Sequence, residues 1–143
     1  MLKKYSQLFS VLFLCIFSTF ITTASAIDLD EATRTVVKDS SGNTIVLTPE
    51  QVKRGKRLFN TTCGACHVGG VTKTNTNIGL DPEALSLAVP RRDSIDSLVD
   101  FLKNPTSYDG VDSIAEVHPS IKSADLYPRM RSVTDEDLTA MAG

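Results

Sequence analysis

Apolar side chains recur at helical spacing in two stretches of this chain, which predicts two amphipathic helices. Thr48 and Pro49 precede the first stretch and are typical of a helix N-terminus. Asp93 or Ser94 caps the second, and the segment 104–105, Asn-Pro, ends it. The apolar positions are Val52, Gly55, Leu58 and Phe59 in the first helix and Ile95, Leu98, Val99 and Leu102 in the second.

Shorter elements are predicted around these helices. Asp81-Pro82 starts a short helix, and Thr134, followed by three acidic residues, starts a last one. Two β-branched runs, residues 34–37 and 44–47, flank a polar cluster and predict a hairpin. Residues 105–133 show little periodicity and are predicted to be an irregular loop. The pattern therefore indicates a mainly α domain with a small N-terminal β-hairpin.

Residues 1–26 have the features of a signal peptide. Lys3 and Lys4 precede an apolar run over residues 8–21, and Ala24-Ser25-Ala26 fits the small-residue cleavage rule. We expect cleavage before Ile27, which leaves residues 27–143 as a single domain. A retained membrane anchor is the alternative, although the apolar run is short for one. The signal is of bacterial type, or that of an organelle of bacterial descent.

The charge balance of the exported chain argues against one class of partner. Removing Lys3 and Lys4 reduces the 15 Lys and Arg residues to 13, against 17 Asp and Glu, so the formal charge is −4. An acidic chain lacks the electrostatic attraction that nucleic-acid binding requires. We therefore expect no nucleic-acid partner.

Residues 63–67 read Cys-Gly-Ala-Cys-His, and the third cysteine, Cys15, lies in the signal peptide. Cys-x-x-Cys-His is the attachment signature of c-type haem: both thiols reach one porphyrin edge and the histidine binds iron. A redox dithiol or a zinc site is the alternative. A zinc site takes four ligands, and residues 27–143 contain only two Cys and two His, so zinc would need all of them. The predicted helix just before the motif is placed as in a class I cytochrome c.

The second axial position of the iron decides the kind of cytochrome. His118, Met130, Met141 or an open site are the candidates, and spacing alone leaves His118 and Met130 close. A thioether raises the reduction potential, whereas a second imidazole lowers it. His67/Met130 ligation would suit a freely diffusing electron carrier. Since either ligand fills the sixth position, we expect an electron-transfer or structural haem rather than an enzyme.

Several segments resemble the PsbV family, the extrinsic low-potential cytochromes c of photosystem II. The similarity runs from about residue 28 to the last residue and is most specific after the haem motif and at His118. The segments are residues 63–67, Gly69-Gly70, Thr-Lys-Thr-Asn at 72–75, residues 79–85, residues 98–105, Tyr-Asp-Gly at 108–110, and His-Pro-Ser at 118–120.

The resemblance implies one covalent haem c per chain in a class I cytochrome c-like helical domain. It implies that Cys63 and Cys66 form the thioethers and that His67 and His118 are the axial iron ligands. It also implies an extrinsic subunit of photosystem II in the thylakoid lumen of a plastid or cyanobacterium. There the family binds the photosystem II core beside other extrinsic lumenal subunits, is peripheral to the membrane, and stabilises the oxygen-evolving manganese–calcium cluster.

Family members continue beyond the position of Ala142-Gly143 with a C-terminal segment. In class I cytochromes the last helix packs on the first, near positions such as Gly55 and Phe59. We therefore expect this contact to be shortened in the present chain, with the haem ligands unaffected.

Overall fold

A short antiparallel hairpin opens the part of the chain that the computed structural model describes, residues 29–143. Strands β1 (Thr35–Val37) and β2 (Thr44–Val46) pair with Val36 opposite Ile45. The main-chain oxygen of Lys38, the residue after β1, accepts a hydrogen bond of 2.9 Å from the amide of Asp96. The predicted hairpin is confirmed, and this bond ties it to the helical part of the molecule. The predicted signal peptide lies outside the described residues.

Helix α1 (Pro49–Thr62) begins as its sequence predicts. Thr48 is the N-cap, and its side chain and that of Gln51 accept hydrogen bonds from each other's main-chain amides. This reciprocal pair satisfies two donors that would otherwise lack partners. Cys63 is the C-cap of helix α1, and the four-residue helix α2 (Gly64–His67) follows directly.

Two further helices follow a polar loop. Helix α3 (Pro82–Leu87) is capped by Asp81, and helix α4 (Ile95–Lys103) by Ser94, one of the two candidates for that role. Ser97 completes a capping box at α4, and Asn104 ends the helix before Pro105. These boundaries confirm the predicted ones. They could be predicted because cap and proline signals act over only a few residues.

Helix α5 (Asp135–Ala142) packs against both α1 and α4. Its Leu138 is fully buried and its Ala140 is 4% exposed. Gly55 of α1 lies so close to α5 that a Cβ atom there would come 1.7 Å from the Ala140 carbonyl oxygen. The contact between the first and last helices is therefore formed within these residues, and glycine is the residue that permits it.

The core lies where these three helices meet the hairpin and the long loop. Leu47, Met130 and Leu138 are among its least exposed side chains. The segment between α4 and α5 contains a 3-10 turn at Pro128–Met130 and is otherwise irregular, as predicted. Among the helices of residues 29–143, none has the length and apolar character needed to cross a bilayer.

Candidate haem site

The Cys-x-x-Cys-His segment forms a single tight turn at the end of α1. The amide of Cys63 donates to the Phe59 carbonyl at 2.7 Å, and the amides of Cys66 and His67 both donate to the Cys63 carbonyl at 3.0 Å. Cys63 is half-buried and Cys66 is exposed, and they form no disulfide with each other. The turn holds two thiols and one imidazole within five residues, on the end of a helix anchored by its contact with α5.

The arrangement of side chains around the thiols argues against zinc. A structural zinc site usually has four converging ligands. Over residues 29–143, no group of three or more His, Cys, Asp or Glu side chains is arranged to hold a metal ion.

The loop after the motif folds back onto it and brings Thr72 to His67. The amide of Lys73 donates to the Cys66 carbonyl at 2.9 Å, and that of Leu80 to the Gly70 carbonyl at 2.9 Å. Thr72 Oγ1 lies 3.2 Å from His67 Nδ1. A proton on Nδ1 donates to this oxygen and leaves Nε2 free to bind a metal. Thr72 was not singled out as a site residue in the sequence, although residues 72–75 contributed to the resemblance.

His118 faces His67 across the site. Their ring centres are 6.2 Å apart, with the ring planes at 57°. Metal–imidazole bonds of about 2 Å would place the ring centres of two axial histidines on one metal about 6.4 Å apart. The observed spacing therefore fits two imidazoles that share one metal. The Nδ1 atom of His118 is buried and has no hydrogen-bond partner among residues 29–143.

Burial favours the neutral form of both imidazoles. Burial lowers the pKa of His67, and burial followed by the nearby His67 lowers the pKa of His118 to about 4. A neutral imidazole is the form that donates an electron pair to iron. The electrostatics of the pair thus agree with its spacing.

Aromatic and cationic side chains surround the two histidines. Phe59, which the apolar pattern of α1 singled out, has its ring centre 6.4 Å from that of His67. Phe101 meets His118 edge-on at 5.0 Å, and the Arg92 guanidinium carbon lies 4.0 Å from the Phe101 ring centre. Sequence reasoning missed Phe101 and Arg92 as site residues, because no local pattern connects either to residue 118.

The two methionine candidates lie in different settings. Met130 is 1% exposed and ends the 3-10 turn in the core. Met141 is half-buried and lines a groove of about 210 Å³ between α1 and α5, beside Val52 and Phe59. The contact that the structure shows for His67 across the site is with His118.

A Cys-x-x-Cys-His turn directly behind the first helix, with the last helix packed on that first helix, characterises a c-type cytochrome of class I. Here a second imidazole faces the histidine of the motif. Comparison with known proteins agrees. The family described as cytochrome c-550 domain matches residues 27–143. The chain belongs to this family, which confirms the resemblance. A cytochrome of this family is an electron-transfer or structural protein and not an enzyme.

Curated relatives span most of the same length. Photosystem II extrinsic protein V of Phaeodactylum tricornutum is 85% identical over 143 residues, which are 100% of this chain and 88% of that one. The protein of the same name from Porphyra purpurea is 63% identical over 143 residues, with the same coverage. That of Cyanophora paradoxa is 61% identical over 135 residues, 94% of this chain and 83% of that one.

Solved structures confirm the fold. Cytochrome c549 superposes with a TM-score of 0.78 at 48% identity, over 80% of this chain and 88% of that one. The PsbV2 cytochrome of Thermosynechococcus elongatus superposes with a TM-score of 0.63 at 35% identity, over 76% of each chain. The predicted class, a mainly α class I cytochrome c fold with a small hairpin, is therefore correct.

Proposed function

We propose that this chain is a low-potential bis-histidine c-type cytochrome. It serves as an extrinsic lumenal subunit of photosystem II, where it stabilises the oxygen-evolving manganese–calcium cluster and supports water oxidation. The pairing of His67 with His118 at 6.2 Å carries the ligand assignment. Family membership and the names of the relatives support the assignment to photosystem II.

In this proposal each chain holds one haem c. Cys63 and Cys66 would form thioethers to it, and His67 and His118 would bind its iron. The turn at residues 63–67 supplies three of these four attachments from one short segment, and Thr72 orients the His67 ring. His118 comes from the long loop, where its amide donates to the Ile114 carbonyl at 2.9 Å.

Haem supplies one-electron oxidation and reduction when it is bound. The imidazoles of His67 and His118 would hold the iron between them and would leave small molecules no free coordination site. Imidazole stabilises the ferric state better than a thioether does, which lowers the reduction potential relative to histidine–methionine ligation. The protein is thus suited to electron transfer or to a structural role, rather than to oxygen or peroxide chemistry.

The location follows from the partner. We infer that residues 1–26 are removed on export to the thylakoid lumen and that residues 27–143 act as one domain. The exported chain, with its formal charge of −4, then binds the lumenal side of the photosystem II core beside other extrinsic subunits. It is peripheral to the membrane and is held there by contacts with the protein subunits of photosystem II.

An absorption spectrum of the oxidised holoprotein tests the ligands. We expect no far-red charge-transfer band from an iron–sulfur bond. The matched control is Met130→Leu, a swap of similar volume that leaves the spectrum and potential unchanged if His118 is the ligand. A far-red sulfur band that disappears in this variant would instead indicate a His67/Met130 electron carrier.

Acidified acetone tests the attachment. Haem held by two thioethers stays with the polypeptide through the extraction, whereas haem held only by axial ligands is released. Cys63→Ser and Cys66→Ser each weaken or abolish stable attachment. Loss of all pigment from the unaltered protein would contradict the covalent bond while leaving the axial ligands to be judged by the spectrum.

A further inference from the structure

Arg92 is a buried cation next to the candidate haem site. The residue is 8% exposed, and no acidic side chain within residues 29–143 forms an ion pair with it. Its Nη2 donates to the main-chain carbonyls of Thr106 at 3.0 Å and Ser107 at 2.7 Å. These neutral oxygens hold the guanidinium in place without cancelling its charge, and its Nε has no partner in the described range.

A buried charge without a counter-charge is costly to maintain in a protein. Arginine remains protonated even where burial lowers its pKa, as it does for Arg92. The positive charge therefore persists at this position under all ordinary conditions. The guanidinium also lies over the face of Phe101, at 4.0 Å from guanidinium carbon to ring centre.

Phe101 connects this charge to the ligand pair. Its ring centre is 5.0 Å from that of His118, in an edge-on arrangement at 65°. The two contacts place the guanidinium carbon within about 9 Å of the His118 ring centre. The Phe101 ring contacts both groups, and an apolar ring screens a charge far less than water does.

We propose that Arg92 is an electrostatic tuning residue that raises the reduction potential of the haem iron held by His67 and His118. Ferric iron carries one more positive charge than ferrous iron, so a nearby buried cation disfavours the oxidised state. The inference rests on the proposed axial ligands. The charge of Arg92 opposes the lowering of the reduction potential by the two imidazoles, and so limits how low that potential falls.

The size of the effect follows from Coulomb's law. At an effective dielectric constant of about 20, a unit charge roughly 12 Å away changes a one-electron equilibrium by about tenfold. A solvent-exposed charge at a similar distance acts much more weakly, because water and salt screen it. The neighbouring residue Arg91 offers an exposed charge for comparison: its side chain is 68% exposed and already pairs with Asp93.

Redox titration of the holoprotein tests the proposal with four proteins. Arg92→Gln should lower the midpoint potential by an amount equal to about a tenfold change in the ferric–ferrous equilibrium, which is 59 mV for one electron. Arg91→Gln removes the same formal charge from the neighbouring residue and should change that equilibrium less than twofold. Arg92→Lys keeps the charge and should stay within about threefold of the unaltered protein.

Each outcome separates the tuning role from other roles. If Arg92→Lys and Arg92→Gln shift the potential equally, Arg92 acts through packing and the proposal is overturned. It is also overturned if Arg92→Gln matches Arg91→Gln. If Arg92→Gln does not assemble with haem, Arg92→Met replaces it. A tenfold change in the ferric–ferrous equilibrium of Arg92→Lys would overturn the proposal by itself, because that variant keeps the charge. The oxidised spectrum of each variant reports the ligands separately, so a wrong axial assignment appears there and not as a failed tuning effect.

Discussion

His118 reaches the candidate site from an irregular segment, and a few hydrogen bonds hold it there. Ser123 Oγ donates to the His118 carbonyl at 3.1 Å, and the buried hydroxyls of Ser120 and Ser123 are 2.7 Å apart. Ser120 is fully buried and Ser123 is 3% exposed. These contacts fix the main chain on both sides of Pro119, so the imidazole is positioned without the support of a helix.

At this scale the ligand assignment makes a direct prediction. His118→Met should keep the covalent haem but raise the midpoint potential, because a thioether stabilises ferric iron less than imidazole does. A far-red iron–sulfur band should appear in the oxidised spectrum at the same time. Redox titration and absorption spectroscopy measure both effects. If neither the potential nor the spectrum changes, His118 is not a ligand.

At the level of elements, the contact between α1 and α5 depends on Gly55. A Cβ atom there would overlap the main chain of Ala140, which cannot move without displacing α5. Gly55→Ala should therefore lower the free energy of unfolding by about 2 kcal/mol or more, as overpacking does in other cores. Urea unfolding followed by circular dichroism measures this.

Gly64→Ala is the matched control for this change. Gly64 also lies in a helix, but a Cβ atom added there would have the Phe59 carbonyl oxygen as its nearest neighbour, at 3.8 Å, which is an ordinary contact. This variant should leave stability close to that of the unaltered protein. Equal losses in the two variants would mean that the approach of α5 to Gly55 is not what the first substitution disturbs.

The same pair of helices is joined by an ion pair between Arg54 and Asp137. The Asp137 side chain is 3% exposed and also belongs to the capping box of α5. Its hydrogen bond with Arg54 is the main cause that lowers the pKa of Asp137 below its usual 3.8. A carboxyl group with a lowered pKa stabilises the fold above pH 3.8, and the effect is lost as the pH falls towards the folded-state pKa.

Asp137→Asn should therefore destabilise the protein most at neutral pH, and the difference from the unaltered protein should shrink as the pH falls below 3.8. Thermal unfolding at several pH values measures it. Asp135→Asn removes the same charge from the same turn at a side chain that is 75% exposed and pairs with Lys103. This control should have a much smaller effect, and a pH-independent loss in Asp137→Asn would contradict the role of the ion pair.

At the level of the whole molecule, the proposed association with photosystem II predicts how the protein leaves the membrane. Strong salt or alkaline Tris should release it from oxygen-evolving membranes, because charged contacts between peripheral subunits weaken with screening. A low-salt wash of the same membranes is the control, and immunoblotting of each supernatant is the measurement. Recovery of the protein in the soluble lumen before any wash would contradict the subunit role.

The sequence by itself determined the local features of this protein. Helix caps such as Thr48 and Thr134 act within three residues, and the haem motif at residues 63–67 spans one turn, so both could be identified without tertiary contacts. The apolar stripe of α1 likewise singled out Gly55 and Phe59. From spacing alone, however, His118 and Met130 remained equivalent candidates, and only the family resemblance distinguished them.

The tertiary structure decided what depends on residues far apart in the chain. It placed His118 opposite His67, Asp137 beside Arg54, and Arg92 behind Phe101. No periodicity or motif predicts these pairs, because each forms only when separate elements pack and exclude water. A buried, unpaired arginine also cannot be told from a surface one by its neighbours in sequence, since adjacent Arg91 is exposed.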